Sequence, residues 1–173
     1  MAPRVVIVGP PGAGKTTVGR LLADALSVGY RDTDADVEAR AGKSVPDIFA
    51  GDGEPAFREL EEESVRLGLA EHDGVLGLGG GAVLSEITRQ RLDGHTVVFL
   101  NVGMAEGVRR TGMSSARPLL AGVNPRATYK TLLDARLPIY RQVATIEVDT
   151  DGIEPRAVAA DIAGRLTPQG TTL

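Results

Sequence analysis

The chain has 173 residues, of which 42% are hydrophobic and 24% charged, and it contains no cysteine. This length and balance predict one globular domain, residues 1–173. The absence of cysteine excludes disulfides and thiolate metal sites. A net charge of -4 with only 3% aromatic residues argues against a nucleic-acid surface, which needs a basic stripe or stacking aromatics. The first apolar run stops at Gly9, too short for a signal sequence, and no stretch approaches the ~20 apolar residues of a membrane span. We therefore expect a cytoplasmic protein without nucleic-acid or membrane partners.

Short β-branched runs alternate with longer helical patterns along the chain. The patterns predict strands at 4–8, 28–31, 75–78, 96–100 and 145–148. They predict helices at 15–26, 34–40, 44–51, 54–70, 85–92, 105–110, 125–140 with a break near Pro138, and 155–166. Strands separated by helices form βαβ units, so the predicted fold class is α/β with a parallel sheet buried on both faces. The segment 111–124 has no clear period, and its length is that of a loop that is either functional or disordered.

The first predicted strand runs into a phosphate-binding motif. Residues 9–16 are GPPGAGKT, which matches GxxxxGK[ST] between an apolar strand and an amphipathic helix. The glycines let backbone N–H groups approach phosphate oxygens, and the helix that follows points its positive dipole end at the same anion. Lys15 is predicted to bind the β- and γ-phosphates of a nucleotide and Thr16 to ligate Mg²⁺; a chance glycine-rich turn is the alternative. The ATP-binding residues predicted in this segment are Gly12, Ala13, Gly14, Lys15, Thr16 and Thr17.

An acidic pair follows the second predicted strand, at the carboxyl edge of the sheet where doubly wound folds bind ligands. If the backbone of residues 32–34 stays extended, alternation sends Asp32 and Asp34 to the same side. Asp32 is then assigned to the water shell of the Mg²⁺ ion, and Asp34 to the hydroxyl that accepts the phosphoryl group. The alternative is that these aspartates only cap the next helix.

These residues, together with motifs further along the chain, resemble those of the shikimate kinase family, and of its actinobacterial members in particular. The resemblance covers almost the whole chain through an ordered set of motifs: 9–16, Asp32-Thr33-Asp34, Ile48-Phe49, Gly53-Glu54, Phe57-Arg58 with Glu61, Gly79-Gly80-Gly81, Arg117-Pro118-Leu119-Leu120, and Arg136 with Tyr140. It implies a P-loop kinase fold of the nucleoside-monophosphate-kinase-like type, with a five-stranded sheet of order 2-3-1-4-5 and a mobile lid at about 111–124.

The resemblance also implies an activity. Such an enzyme moves the γ-phosphoryl group of ATP to the 3-hydroxyl of shikimate, giving shikimate 3-phosphate and ADP in aromatic amino-acid (chorismate) biosynthesis. It uses one Mg²⁺ ion with ATP, and we expect it to act as a monomer.

The residues that hold shikimate follow from the same resemblance. Arg58 and Arg136 match the arginines that grip the shikimate carboxylate, and Asp34 matches the aspartate that binds the ring hydroxyls. Gly80 matches a glycine that offers backbone contacts, and we place its neighbours Gly79 and Gly81 in the same site. The substrate-binding segment then spans about 32–61. Arg117, in the lid, joins Lys15 and Asp34 as the third predicted catalytic residue.

On the nucleotide side, Arg110, Arg117 and Pro155 complete the predicted ATP-binding set. Arg110 either stacks on adenine or is a solvated charge at a helix end. Relatives often have a basic residue in the stretch matching 151–155, and this chain has none before Arg156.

Spacing alone leaves alternatives open for the other motifs. Arg58 and Glu61 lie three apart on a helix, so Glu61 can orient Arg58, but a surface salt bridge has the same spacing. Residues 79–81 can form a tight turn instead of a ligand contact, and Arg117 can be incidental to a disordered loop. Rival functions are a gluconate or nucleoside-monophosphate kinase, or a non-catalytic nucleotide-binding module.

Overall fold

A parallel sheet forms the centre of the protein. The computed structural model describes the backbone of residues 2–111 and 125–171, and their side chains apart from 104, 111, 125, 126 and 167–171. Within these ranges the strands are β1 (Val5–Val8), β2 (Tyr30–Asp32), β3 (Val75–Gly77), β4 (Val97–Asn101) and β5 (Ile146–Asp149). Their order is β2-β3-β1-β4-β5 and every neighbouring pair is parallel, which confirms the predicted fold class and strand order.

Helices connect the strands. Over the same ranges the α-helices are α1 (Lys15–Leu26), α2 (Thr33–Ala41), α3 (Val45–Gly51), α4 (Glu54–Glu71), α5 (Glu86–Leu92), α6 (Met104–Thr111), α7 (Pro125–Val143) and α8 (Pro155–Thr171), and a short 3-10 helix covers Ala82–Leu84. The predicted start signals operate as expected: the Ser44 side chain accepts a hydrogen bond from the backbone N–H of Asp47, and Pro55 lies in the first turn of α4. None of these helices has the length and apolar character needed to cross a membrane.

The two faces of the sheet bury separate cores because side chains alternate along each strand. Val5 and Ile7 of β1 pack into a cluster with apolar residues of α1 and α8. Val6 and Val8 pack into a second cluster, with residues of α4, α5 and α7. A third, small cluster of Val37, Ile48 and Phe57 joins α2, α3 and α4. These three helices carry most of the predicted substrate-binding segment, so that segment has a small core of its own.

The second strand begins later than predicted. Strand β2 covers Tyr30–Asp32 instead of 28–31, because the backbone N–H of Val28 takes part in the C-terminal cap of α1. Ser27 adopts a left-handed conformation, with φ of 57°, and the Val28 N–H bonds back to the Ala23 carbonyl at 2.9 Å. The shift brings Asp32 into the strand, opposite Gly77 of β3.

The predicted break at Pro138 is wrong, since α7 continues through it to Val143. An interior proline removes one helical hydrogen bond and costs about 3 kcal/mol. Tertiary packing offsets this cost: Leu137 and Ile139 pack against the second core, and Tyr140 is fully buried within it.

Candidate active site

The phosphate loop wraps around its own lysine. Gly12 and Gly14 have φ of 83° and 87°, a left-handed conformation that glycine adopts without strain. Lys15 Nζ donates to the carbonyls of Gly9 at 2.8 Å and Pro10 at 3.1 Å. The N-cap of α1 is Gly14, which has no side chain to cap the helix, so the first N–H groups of α1 can meet an anion.

Two adjoining cavities lie along this loop. One has a volume of about 240 Å³ and is lined by the loop together with Asp32, Asp34 and Leu78. The other, of about 400 Å³, extends toward the start of α8. Every described residue of the predicted ATP-binding set lines one or both of these cavities: Gly12, Ala13, Gly14, Lys15, Thr16, Thr17, Arg110 and Pro155.

Thr16 and Asp32 meet at the edge of the smaller cavity. The Thr16 hydroxyl donates to Asp32 Oδ2 at 3.3 Å, and the Tyr30 hydroxyl donates to the same oxygen at 3.2 Å. Asp32 Oδ1 accepts from the backbone N–H of Asp34 at 2.8 Å and so caps α2. Asp32 therefore caps the helix with one oxygen and faces Thr16 with the other.

This pair suits a hard cation. Mg²⁺ prefers oxygen ligands and keeps several waters, so a hydroxyl and a carboxylate oxygen beside a phosphate cavity fit it. No group of three or more His, Cys, Asp or Glu residues that could enclose a metal occurs in the described part of the chain. An ion here would take its remaining ligands from phosphate and water.

Asp34 reaches the site by a different route from the predicted one. The extended backbone assumed for residues 32–34 is wrong, because α2 begins at Thr33 and Asp34 lies in its first turn. Asp32 and Asp34 nevertheless line the same cavity. The buried Thr33 hydroxyl accepts from the Gly79 N–H at 3.2 Å, which fixes the start of α2 against the loop after β3.

A buried carboxylate lies between the two predicted carboxylate-binding arginines. Glu61 is 3% exposed and accepts a hydrogen bond from Arg58 Nη1 at 2.7 Å. The other side of the Arg58 guanidinium donates to Glu54 at 3.1 Å. Burial raises the pKa of Glu61 above its usual range, although the neighbouring charges of Arg58 and Arg136 oppose this. The surface salt bridge considered for Arg58 and Glu61 is therefore wrong, since Glu61 is a core residue.

Arg136 is the second cation of this pocket. It is 6% exposed, and α7 places it one turn before Tyr140. The pocket therefore brings two arginine guanidinium groups together, and each can donate hydrogen bonds to a small anion.

The glycines after β3 are required for space. None of residues 79–81 is among the glycines with positive φ. A Cβ atom at Gly79 would lie 2.6 Å from Asp34 Oδ1 and 2.8 Å from Glu61 Oε2. At Gly81 it would lie 2.5 Å from Arg58 Nη1. These glycines let Asp34, Arg58 and Glu61 converge on the backbone at the end of β3.

Replacing Gly79 by alanine is expected to push Asp34 and Glu61 away from the loop. Because the new methyl group meets side-chain ends rather than backbone, we expect the fold to persist. The KM for the acceptor should rise about tenfold and the KM for ATP should change less than about twofold. Gly164→Ala is the matched control, since a Cβ atom there meets nothing within 4 Å. Equal kinetics for the two variants would contradict this role.

Arg110 is anchored at the nucleotide cavities. Its guanidinium donates to the Gly12 carbonyl at 2.9 Å and to Glu106 at 3.0 Å, and approaches the Thr150 hydroxyl at 3.4 Å. Arg110 is nevertheless exposed and lies in the last turn of α6, so both alternatives considered for it, stacking on adenine and a solvated helix-end charge, stay open. Arg109 and Ile153 both line the larger cavity. Arg109 of α6 therefore supplies this cavity with a positive charge, which residues 151–155 lack.

The predicted lid falls almost entirely outside the described residues. Of the segment 111–124 only the backbone of Thr111 is described, and Arg117 lies outside the described ranges.

Three tyrosine hydroxyls at the site were not assigned from the sequence: those of Tyr30, Tyr129 and Tyr140. Tyr129 and Tyr140 lie on a helix, and the sequence of a helix gives no signal of the distant carbonyl that a hydroxyl will meet.

A phosphate loop at the carboxyl edge of a parallel sheet, next to an acceptor pocket that holds two arginines, defines a P-loop kinase of small molecules. The shikimate kinase family model matches residues 11–167. Similar proteins include the shikimate kinase of Saccharopolyspora erythraea, 66% identical over 96% of this chain and 95% of that protein. That of Mycobacterium marinum is 57% identical over 96% of this chain and 90% of that protein.

A solved structure agrees with the sequence relatives. Shikimate kinase from Acinetobacter baumannii in complex with shikimate superposes with a TM-score of 0.93 at 34% identity, covering 98% of this chain and 94% of that one. The chain belongs to the shikimate kinase family and is an ATP-dependent kinase. This excludes the gluconate kinase, nucleoside-monophosphate kinase and non-catalytic alternatives.

Proposed function

We propose that this chain transfers the γ-phosphoryl group of ATP to the 3-hydroxyl of shikimate, and that the residues described above carry the reaction. The observation that supports this best is the position of Asp34. It lines the phosphate cavity, and it also lies against Gly79 and Glu61 in the acceptor pocket. A group in that position can contact the acceptor hydroxyl while the γ-phosphate lies in the phosphate loop.

ATP is held along the phosphate loop. Backbone N–H groups of the phosphate loop and of the first turn of α1 receive the phosphates, and Lys15 exchanges its bonds to the Gly9 and Pro10 carbonyls for phosphate oxygens. Thr16 and Asp32 would hold a Mg²⁺ ion, which would neutralise negative charge on the phosphates. Arg110 and Pro155 border the adenine, in the larger cavity.

Shikimate lies in the acceptor pocket with its carboxylate toward Arg58 and Arg136. Arg58 has a planar fork that can bind a carboxylate with two parallel hydrogen bonds. Glu54 now occupies part of that fork; its side chain is half exposed, so it can yield to the substrate. Glu61 stays in place and fixes the other edge of the guanidinium. The backbone of residues 79–81 forms the wall opposite α4.

Asp34 accepts a hydrogen bond, and the proton, from the attacking 3-hydroxyl. Lys15 stabilises the charge that develops on the transferring group. By the family resemblance Arg117 adds a further positive charge there. We further propose one kinase domain over residues 1–173, acting as a cytoplasmic monomer.

Replacing either arginine of the pocket by lysine tests the acceptor. Lysine keeps the charge but lacks the planar fork, so Arg58→Lys and Arg136→Lys should each raise the KM for shikimate about ten- to a hundredfold. The KM for ATP should change much less, because the phosphates bind elsewhere. The measurement is steady-state ADP release with each substrate varied in turn.

Arg66→Lys is the matched control, since Arg66 lies on the same helix and pairs with Glu63 in an exposed i,i+3 contact. An analogue of shikimate without the carboxylate should be a poor substrate of the unaltered chain. If the unaltered chain phosphorylates that analogue as well as shikimate, the carboxylate is not recognised and the assignment of both arginines fails.

A further inference from the structure

Helix α7 carries two tyrosines whose hydroxyls reach the two substrate loops. Tyr129 and Tyr140 are eleven positions apart, about three turns at 3.6 residues per turn, so they lie on one face about 16 Å apart. Both are fully buried, with 0% exposure. A buried phenol keeps its hydroxyl satisfied, and each of these donates to a backbone carbonyl of a loop distant in sequence.

Tyr129 contacts the phosphate loop. Its hydroxyl donates to the Pro11 carbonyl at 2.9 Å in a buried hydrogen bond. Burial raises the pKa of Tyr129, so the hydroxyl stays a neutral donor at physiological pH. Gly107 of α6 makes room for this hydroxyl, because a Cβ atom at Gly107 would overlap it.

Tyr140 contacts the acceptor loop. Its hydroxyl donates to the Gly80 carbonyl at 2.6 Å, also in a buried hydrogen bond. Its ring stacks on Phe99 of β4, with centroids 5.0 Å apart. Burial raises the pKa of Tyr140 to about 12, so it too remains protonated.

The two loops also touch each other. A Cβ atom at Gly80 would lie 3.2 Å from Pro11 Cδ and 3.5 Å from the Gly9 carbonyl oxygen. The carbonyls that accept from α7 therefore belong to loops in direct contact, one beside the phosphates and the other beside the acceptor. A shift of either loop changes the distance between the two reacting groups, to which phosphoryl transfer is sensitive at the level of about 1 Å.

We propose that Tyr129 and Tyr140 are positioning residues through which α7 sets the phosphate loop and the acceptor loop in register for transfer. The inference rests on the proposed placement of ATP along the phosphate loop and of shikimate beside residues 79–81. It adds a separate role for each tyrosine: the Tyr129 hydroxyl positions the phosphate loop, which binds the nucleotide, and the Tyr140 hydroxyl positions the acceptor loop.

Removing one hydroxyl at a time tests this. Tyr129→Phe should raise the KM for ATP about three- to tenfold and leave the KM for shikimate within about twofold. Tyr140→Phe should give the reverse pattern. Thr131→Val is the control from the same helix, since its hydroxyl donates at 3.0 Å to the Ala127 carbonyl within α7; both KM values should be unchanged.

Stability is measured beside the kinetics, because a purely structural hydroxyl lowers the unfolding temperature without splitting the KM values. If a phenylalanine variant is too unstable for kinetics, the same split is read from the rise in unfolding temperature produced by ATP or by shikimate alone. Gly107→Ala, which crowds the Tyr129 hydroxyl, should reproduce the Tyr129→Phe pattern. A fall in kcat without the loss of folding supports the register role; unchanged kcat and KM values, or an equal rise in both KM values, assign the hydroxyls to stability alone and overturn the proposal. A failure of the proposed function is distinguishable, because it would appear as absent shikimate-dependent ADP release in the unaltered chain.

Discussion

Replacing Lys15 by methionine is expected to leave the fold intact and to remove nearly all turnover. Methionine keeps the length of the side chain but removes the ammonium group that bonds to the Gly9 and Pro10 carbonyls at 2.8 Å and 3.1 Å. Preorganised contacts to developing charge contribute about 2.7–4 kcal/mol, so kcat should fall about a hundred- to a thousandfold. The measurement is shikimate-dependent ADP release, with circular dichroism to verify folding.

Lys130→Met is the matched control, because Lys130 is an exposed lysine that pairs with Asp134 on the surface of α7. It should retain the kinetics of the unaltered chain. A Lys15→Met variant within about tenfold of the parent, or about 1.4 kcal/mol of barrier, would show that Lys15 does not stabilise the transferring phosphoryl group.

The second large effect is expected at Asp34. Asp34→Asn keeps the shape of the side chain but removes its charge and its capacity to accept a proton. General base catalysis contributes about a hundred- to ten-thousandfold, so kcat should fall within that range. Shikimate binding should weaken as well, and the KM for ATP should change little.

The matched control is Asp36→Asn, in the same first turn of α2, where Asp36 pairs with Arg31 at 2.7 Å. That variant loses one ion pair and should retain turnover. Normal kinetics in Asp34→Asn would instead leave Asp34 with only a local role at the start of α2.

The sequence predicted best what local residues determine. The phosphate loop is one continuous segment, so its glycines, its lysine and the helix after it are recognisable together. Helix starts such as Ser44 and Pro55 are equally local, and the structure confirms them. The strand order came from the family resemblance, because strand pairing is a long-range property that periodicity does not contain.

The errors arose where distant parts of the chain decide the local backbone. A proline breaks an isolated helix, but the packing of Leu137 and Tyr140 in the second core keeps α7 continuous past Pro138. Strand alternation predicts an extended backbone at Asp34, although α2 already begins at Thr33. Glu61 is buried because α4, α7 and the end of β3 pack together around it. Its spacing of three residues from Arg58 gives no information on that packing.

The tyrosine contacts have a consequence for following ligand binding by spectroscopy. The chain contains no tryptophan and three tyrosines, so these three phenols dominate its near-ultraviolet absorbance and intrinsic emission. Every one of them has its hydroxyl at the site: Tyr30 on Asp32, Tyr129 on the Pro11 carbonyl and Tyr140 on the Gly80 carbonyl. The emission of the unmodified protein therefore reports on occupancy of its own active site, without background from chromophores elsewhere. Three single phenylalanine variants would assign that signal to the metal, nucleotide and acceptor sides in turn.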